Sequence, residues 1–256
     1  MGWKVGLQNE KNKMAAKVKL EILYEDDYVV AVNKPAGYLS IPDRFIAEIP
    51  NVKGILESTY GEIFTVHRID KYTSGVMIFA KDSESHKYLS AQWMDRKPEK
   101  YYTAIVDGVP SPESDIIDLS LAESMTRRGK MVANKRGKES MTKYQVIENY
   151  VRFSLLELQI YTGRMHQIRV HMAQRGYPLV VDSLYGKREA LMLSELKGKK
   201  YRKPKDEEER PLLSRQPLHA HKLVISHPHT QQNISIEAPL PKDMRAVINQ
   251  MRKLKK

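Results

Sequence analysis

Apolar residues along this chain recur mostly in short runs and alternations, and helical spacing is the exception. Ile22-Leu23-Tyr24 and Tyr28-Val29-Val30-Ala31-Val32 flank the acidic Glu25-Asp26-Asp27 and predict a hairpin. Lys34-Pro35-Ala36-Gly37 breaks its second strand. The run Val76-Met77-Ile78-Phe79-Ala80 predicts a buried strand behind the polar turn His67-Arg68-Ile69-Asp70. Tyr102 to Val106 predicts another strand, closed by Asp107-Gly108. Thr142 to Glu148 and Phe153 to Ile160 alternate as a strand pair. His219 to Ser226 and Asn233 to Glu237 form a last hairpin around His227-Pro228-His229. Asp82 or Ser83 caps a helix over about 84–95, with Tyr88, Leu89 and Trp93 on one side. A second helix runs over about 164–174, with Thr162 as a possible cap and Gly176 as its stop. Met244, Val247, Ile248, Met251 and Leu254 repeat at helical spacing and predict an amphipathic final helix. Strands in clusters with few helices between them predict an α+β fold with a mixed, largely antiparallel sheet.

Composition adds bounds. The 256 residues suffice for one large domain or two small ones. No apolar stretch approaches a membrane span, and the first residues lack a secretory signal. There is no cysteine, which removes disulfides, thiolate metal sites and a cysteine nucleophile. A cytoplasmic address is the expectation. The 43 Lys and Arg against 31 Asp and Glu leave a charge of +12, the footprint of a nucleic-acid binder or of an ordinary basic protein. Residues 1–19 are Lys-rich and aperiodic and read as a basic arm before a domain over 20–256. Residues 187–215 read as an exposed insertion of self-compensating charge. Arg127-Arg128-Gly129-Lys130 and Lys135-Arg136-Gly137-Lys138 share a polar stretch that is either a solvated hairpin tip or a loop that grips phosphates.

At about 100° per residue, Met165, Ile168 and Met172 share one face of the helix over 164–174, and Arg164, Gln167 and His171 another. Arg169 falls beside the apolar face. It either snorkels to water or is partly buried against a carboxylate. Asp70, at a strand edge near the core, is the candidate partner.

These segments together resemble the RluA-type family of RNA pseudouridine synthases. His67-Arg68-Ile69-Asp70 followed by Thr73-Ser74-Gly75 matches the family's first element, with Ile69 where leucine is usual. Lys100, Tyr102 and Ala104 match the second. Thr162-Gly163-Arg164, His166-Gln167-Ile168-Arg169 and His171 match every fixed position of the third. Gly176-Tyr177-Pro178-Leu179, Asp182, Tyr185 and Gly186 continue it, with Val181 in place of the usual glycine. Asn33 to Gly37, Leu218-His219-Ala220 and His227-Pro228 fit as well, so the match spans about residues 20–240 in order.

The resemblance implies a pseudouridine-synthase-like α+β fold with a central RNA-binding cleft and flanking helices. It implies isomerisation of uridine to pseudouridine in structured ribosomal or transfer RNA, without cofactor or metal, by a protein expected to be a monomer. Asp70 is then the reacting carboxylate and Arg169 the cation that keeps it ionised. Tyr102 stacks on the uracil, its hydroxyl helping to remove the C5 proton, and Leu218 walls the pocket. His67, Arg68, Thr73, Arg164, His166, Gln167 and His171 are the expected RNA contacts. The target base must be flipped out, and Arg68 is placed to fill the gap. Relatives often carry an N-terminal S4-type module. Some twenty residues before the first strand are too few for one, so target choice is expected to rest on the catalytic domain. A metal hydrolase is disfavoured, because His166 and His171 are five apart and diverge around a helix. A serine hydrolase lacks its Gly-x-Ser-x-Gly turn. A non-catalytic RNA-binding protein would explain the charge but not the ordered set of Asp70, Tyr102 and Arg169.

Overall fold

The opening alternation builds the expected hairpin, β1 (Glu21–Glu25) against β2 (Val29–Lys34), its turn closed by Asp26, which accepts the Tyr28 and Val29 N–H groups. The structure is a computed structural model and describes residues 19–46, 49–202 and 208–255. The basic arm over 1–19 therefore lies almost wholly outside the described residues, as do residues 203–207 of the segment 187–215. The further strands are β3 (Phe64–Thr65), β4 (Ser74–Ala80), β5 (Glu99–Asp107), β6 (Ser114–Asp118), β7 (Leu121–Glu123), β8 (Met131–Ala133), β9 (Met141–Asn149), β10 (Phe153–Ile160), β11 (Leu218–Ser226) and β12 (Asn233–Glu237). The helices are α1 (Val52–Tyr60), α2 (Ser83–Met94), α3 (Gln167–Gln174), α4 (Leu193–Lys197) and α5 (Lys242–Lys255).

Ten strands form one sheet in the order β1-β2-β4-β11-β5-β10-β9-β6, with β12 beside β11 and β3 beside β4. The pairings are antiparallel except where β11 meets β4, at His219 opposite Ser74 and Ala220 opposite Gly75. This is the mixed, mostly antiparallel sheet expected of the α+β class. The short parallel joint links its two halves, and the loop that carries Asp70 ends there.

Helices cover both faces of β4, which explains its unbroken apolar run. Val76 and Ile78 pack toward Leu89 of α2, while Met77 and Phe79 pack toward Val52 and Leu56 of α1. β5 is shared in the same way. Tyr102, Ala104 and Val106 face Ile168 and Met172 of α3, and Ile105 faces Met244, Val247, Ile248 and Met251 of α5. The final helix thus buries the face that its spacing predicted. Asp82 caps α2, its side chain accepting the Ser85 N–H at 2.8 Å.

One expectation is revised and two elements are added to the sequence reading. α1 has no counterpart in the sequence reading: it is short, and its start is set by Asn51, whose side chain accepts the Gly54 N–H at 2.8 Å. The segment 187–215 is docked at both ends. Leu191 and Leu213 bridge each other and are buried in the α5 core, and Arg188 pairs with Asp107 at 2.7 Å. The polar stretch after β6 is a small hairpin, β7 with β8, that carries Arg127, Arg128 and Lys130 at its turn.

Candidate active site

Asp70 lies in the loop before β4, and both of its neighbours in the chain are pinned. The Ser40 hydroxyl donates to the Ile69 carbonyl at 2.7 Å and accepts the Ile69 N–H at 3.2 Å. The Lys71 carbonyl accepts from Lys34 Nζ at 2.9 Å and from the Gly37 N–H at 2.8 Å. Lys34 is fully buried and also donates to the Pro35 and Tyr38 carbonyls, at 3.1 and 2.7 Å. Burial pushes this ammonium down to about 7, against the attraction of Asp70. The turn closes as Thr73 N–H donates to the Asp70 carbonyl at 3.1 Å. Beyond it the chain must pass under β11. At Gly75, with φ +117°, a Cβ would stand 2.1 Å from the Ala220 oxygen, so only glycine fits. The Ser74 hydroxyl donates to His219 Nδ1 at 3.0 Å while His219 Nε2 donates to the Ala238 carbonyl at 3.2 Å, which fixes a neutral ring.

Asp70 opens onto a cleft of about 920 Å³ that is also lined by Arg68, Tyr102, His166, Arg169 and Leu218. Its side chain is 28% exposed and lies 3.7 Å from Arg169 Nη1 and 3.9 Å from His166 Nε2, both contacts being to Oδ2. The arginine is buried as expected, but its fork is not spent on Asp70. Nε and Nη2 make a bidentate pair with Asp182 at 2.7 and 2.8 Å, and the remaining nitrogen is the one turned to Asp70. Asp182 is fully buried and also accepts the Leu184 and Tyr185 N–H groups, at 2.9 and 3.1 Å. Burial alone would raise this carboxyl; the Arg169 fork and the backbone donors outweigh it and hold it below the usual range. Two buried charges thus compensate each other and deliver a fixed cation to a half-open carboxylate.

The α3 start differs from the sequence reading. The helix begins at Gln167, not Arg164, because His166 stands at φ +56°, in the left-handed region. Arg164 and Met165 belong to the preceding turn, and Met165 is exposed rather than part of a buried face. Gln167 closes that turn. Its Oε1 accepts from the Thr162 hydroxyl and the Arg164 N–H at 2.7 and 3.0 Å, and its Nε2 donates to the Met141 carbonyl and the Thr142 hydroxyl at 2.9 and 3.0 Å. Its amide has no capacity left for RNA, so Gln167 is a structural plug at the cleft's edge. His171 leaves the expected set outright. It is 0% exposed and hydrogen-bonds Thr142, Ser140 and the Leu119 carbonyl at 2.9, 2.9 and 3.0 Å, which joins α3 to the start of β9 and to the loop between β6 and β7.

The other expected residues line the cleft. His67 stacks on Trp93 at 4.9 Å, and its Nε2 accepts the Ile78 N–H at 3.2 Å, so the ring is neutral; burial and the Lys100 charge push it down to about 3. It is a wall rather than a cationic contact. Tyr102 is nearly buried, and burial and Asp70 raise its hydroxyl well above the ordinary range, so it presents a protonated phenol at rest. Thr73 and Leu218 are buried beside it, while Arg68 and Arg164 stand at the opening, with Arg44 and Arg96 adding charge to the lip. The roles of Lys34, Asp182 and Tyr185 were not read from the sequence. A fully buried arginine demands a partner with two free oxygens, and that demand was the available signal for Asp182.

The mixed sheet, the basic lip and one half-open carboxylate beside a captive guanidinium make a cleft suited to receive a nucleotide. Residues 28–174 match the model of the RNA pseudouridylate synthase family, and the chain belongs to that family. It is 35% identical over 225 residues to the dual-specificity RNA pseudouridine synthase RluA of Escherichia coli (strain K12), covering 86% of this chain and 93% of the relative. To the ribosomal large subunit pseudouridine synthase D of Zymomonas mobilis it is 34% identical over 245 residues, 91% of this chain and 73% of the relative. Among solved structures, human RNA pseudouridylate synthase domain containing 4 matches with a TM-score of 0.71 at 25% identity, covering 96% of this chain and 98% of that one. The chain is an isomerase that converts uridine to pseudouridine in RNA.

Proposed function

We propose that Asp70 is the carboxylate that acts on the ribose C1′ of a flipped uridine, and that the target lies in structured ribosomal or transfer RNA. The observation that carries this is the environment of Asp70: a carboxylate open to the cleft, with a locked arginine at 3.7 Å. The N1–C1′ bond must break, the uracil must turn, and C5 must bond to C1′. An anion at C1′ meets the positive charge that develops there, as in glycoside hydrolysis. Nothing leaves and water is unwanted, so a single carboxylate is enough. Arg169 orients Asp70 by charge pairing across 3.7 Å. Tyr102 supplies a stacking ring, and its protonated phenol is a donor at rest, which leaves the C5 proton to another acceptor. Arg68 fills the place of the flipped base. His67, Thr73 and Leu218 shape the pocket, and Arg164 meets the backbone. The names of the relatives, one a dual-specificity RNA pseudouridine synthase and one a ribosomal large subunit pseudouridine synthase, support ribosomal RNA among the targets. The protein works as a monomer in the cytoplasm.

The test is a map of pseudouridine in total RNA from cells with and without this protein. A site that vanishes, returns with the wild type and stays absent with Asp70→Ala identifies both target and carboxylate. Restoration by Asp70→Ala would overturn the assignment.

A further inference from the structure

Tyr185 follows Asp182 in the tight turn that holds the Arg169 fork, and its ring lies 5.0 Å from the Arg169 guanidinium. Its hydroxyl has two neighbours. The Met131 N–H of β8 donates to it at 2.7 Å, and His166 Nδ1 lies 2.9 Å away. A backbone N–H can only donate, so the phenolic oxygen is the acceptor there and its own hydrogen is free for Nδ1. An imidazole whose Nδ1 accepts carries its proton on Nε2. The opposite arrangement would turn the Nε2 lone pair toward the Asp70 carboxylate and leave the half-buried phenol hydrogen without a partner. With the proton on Nε2, His166 points an N–H at Asp70 Oδ2 from 3.9 Å, the same oxygen that Arg169 Nη1 approaches at 3.7 Å. The backbone of His166 is left-handed, at φ +56°, which is strained in a non-glycine residue, and the fold keeps that strain where it aims this ring.

We propose that Tyr185 is a positioning residue that locks His166 as the Nε2–H tautomer, so that His166 and Arg169 together hold one oxygen of Asp70 and leave the other toward the ribose. This rests on the reading of Asp70 as the reacting carboxylate. Both donors stand beyond hydrogen-bond length, at 3.9 and 3.7 Å, and such contacts tighten when substrate fills a site. The groups facing His166 are Asp70 from the loop before β4, Arg169 from α3, and Asp182 and Tyr185 from the turn after it. Without the phenol hydrogen, Nδ1 is free to take a second proton, which Asp70 attracts.

The experiment is nitrogen NMR of the RNA-free protein labelled in its histidine rings, with His166 assigned by its loss in His166→Gln, together with single-turnover rates on RNA across pH. In the wild type His166 is expected as the neutral Nε2–H form, with no break in rate near the ordinary histidine range. In Tyr185→Phe the ring is expected to take up a second proton as pH is lowered, and the rate to fall about tenfold on the alkaline side of that step, where the neutral ring no longer has its tautomer fixed and can lose the Nε2–H donor to Asp70, with the melting temperature little changed. His166→Gln, which keeps an N–H donor, is expected to retain more of the rate than His166→Ala. An Nδ1–H tautomer in the wild type, an unaltered pH profile in Tyr185→Phe, or equal loss in both His166 variants would overturn the proposal. Turnover by Asp70→Asn would instead overturn the reading of Asp70, while the tautomer of His166 in RNA-free protein still decides the role of Tyr185.

Discussion

Asp70 and Asp182 both face Arg169, and substitution separates their roles. Asp182 is fully buried with its lone pairs filled, so Asp182→Asn strands the arginine charge in the core. A loss of roughly 3–5 kcal/mol is expected, read by urea denaturation. Asp70 is part-exposed and makes no hydrogen bond to Arg169 shorter than the 3.7 Å contact. Asp70→Asn is therefore expected to keep stability within about 1 kcal/mol and to abolish pseudouridine formation, measured on the same preparation. The sequence made Arg169 and Asp70 legible as a pair because both sit in dense motifs. It left open which carboxylate takes the fork, since that depends on a turn that brings Asp182 back over α3.

At the scale of elements, the joint between β4 and β11 governs the loop that carries Asp70. Gly75→Ala places a methyl group where the Ala220 carbonyl stands, at a φ that disfavours any side chain. A loss of roughly 2–4 kcal/mol is expected, with activity falling in parallel because the loop moves with the joint. The joint also carries a pH dependence. His219 is buried, and burial pushes it down to about 4, so the folded state resists a proton that the unfolded chain accepts near 6.5. Its contribution is complete above the unfolded value and is lost as pH falls from about 6.5 toward 4. Unfolding midpoints in denaturant should decline across that window, and His219→Asn should flatten the decline. Strand positions here were legible from apolar runs. The parallel pairing was not, because periodicity reports which faces are buried and not which strand lies alongside.

At the scale of the molecule, the +12 charge meets the cleft through the arginines on its lip and the basic turn between β7 and β8. That hairpin borders the cleft, since Met131 and Arg164 line one depression between them. Replacing Arg127, Arg128 and Lys130 with alanine is expected to raise KM for RNA and leave kcat near wild type. It should also lower the salt slope of binding by about 0.7–0.9 for each phosphate contact removed. A change in kcat with unchanged KM would refute a docking role for the turn. No helix among the described residues is long and apolar enough to cross a membrane.

The fold class, most strands, the final helix and the family resemblance were legible from the chain alone, and Asp70, Tyr102 and Arg169 were singled out from it, because these readings depend on local periodicity and on residue order. It misassigned His171 and Gln167 as RNA contacts, since a polar residue at a helical position looks the same whether it meets solvent or a buried hydroxyl. Packing in three dimensions was needed to see that Lys34 and Ser40 pin the loop of Asp70, that Asp182 holds the Arg169 fork, and that Tyr185 reaches His166. Each of these joins segments far apart in the chain, and the desolvation that makes such pairings obligatory exists only once the sheet and its helices have closed around them.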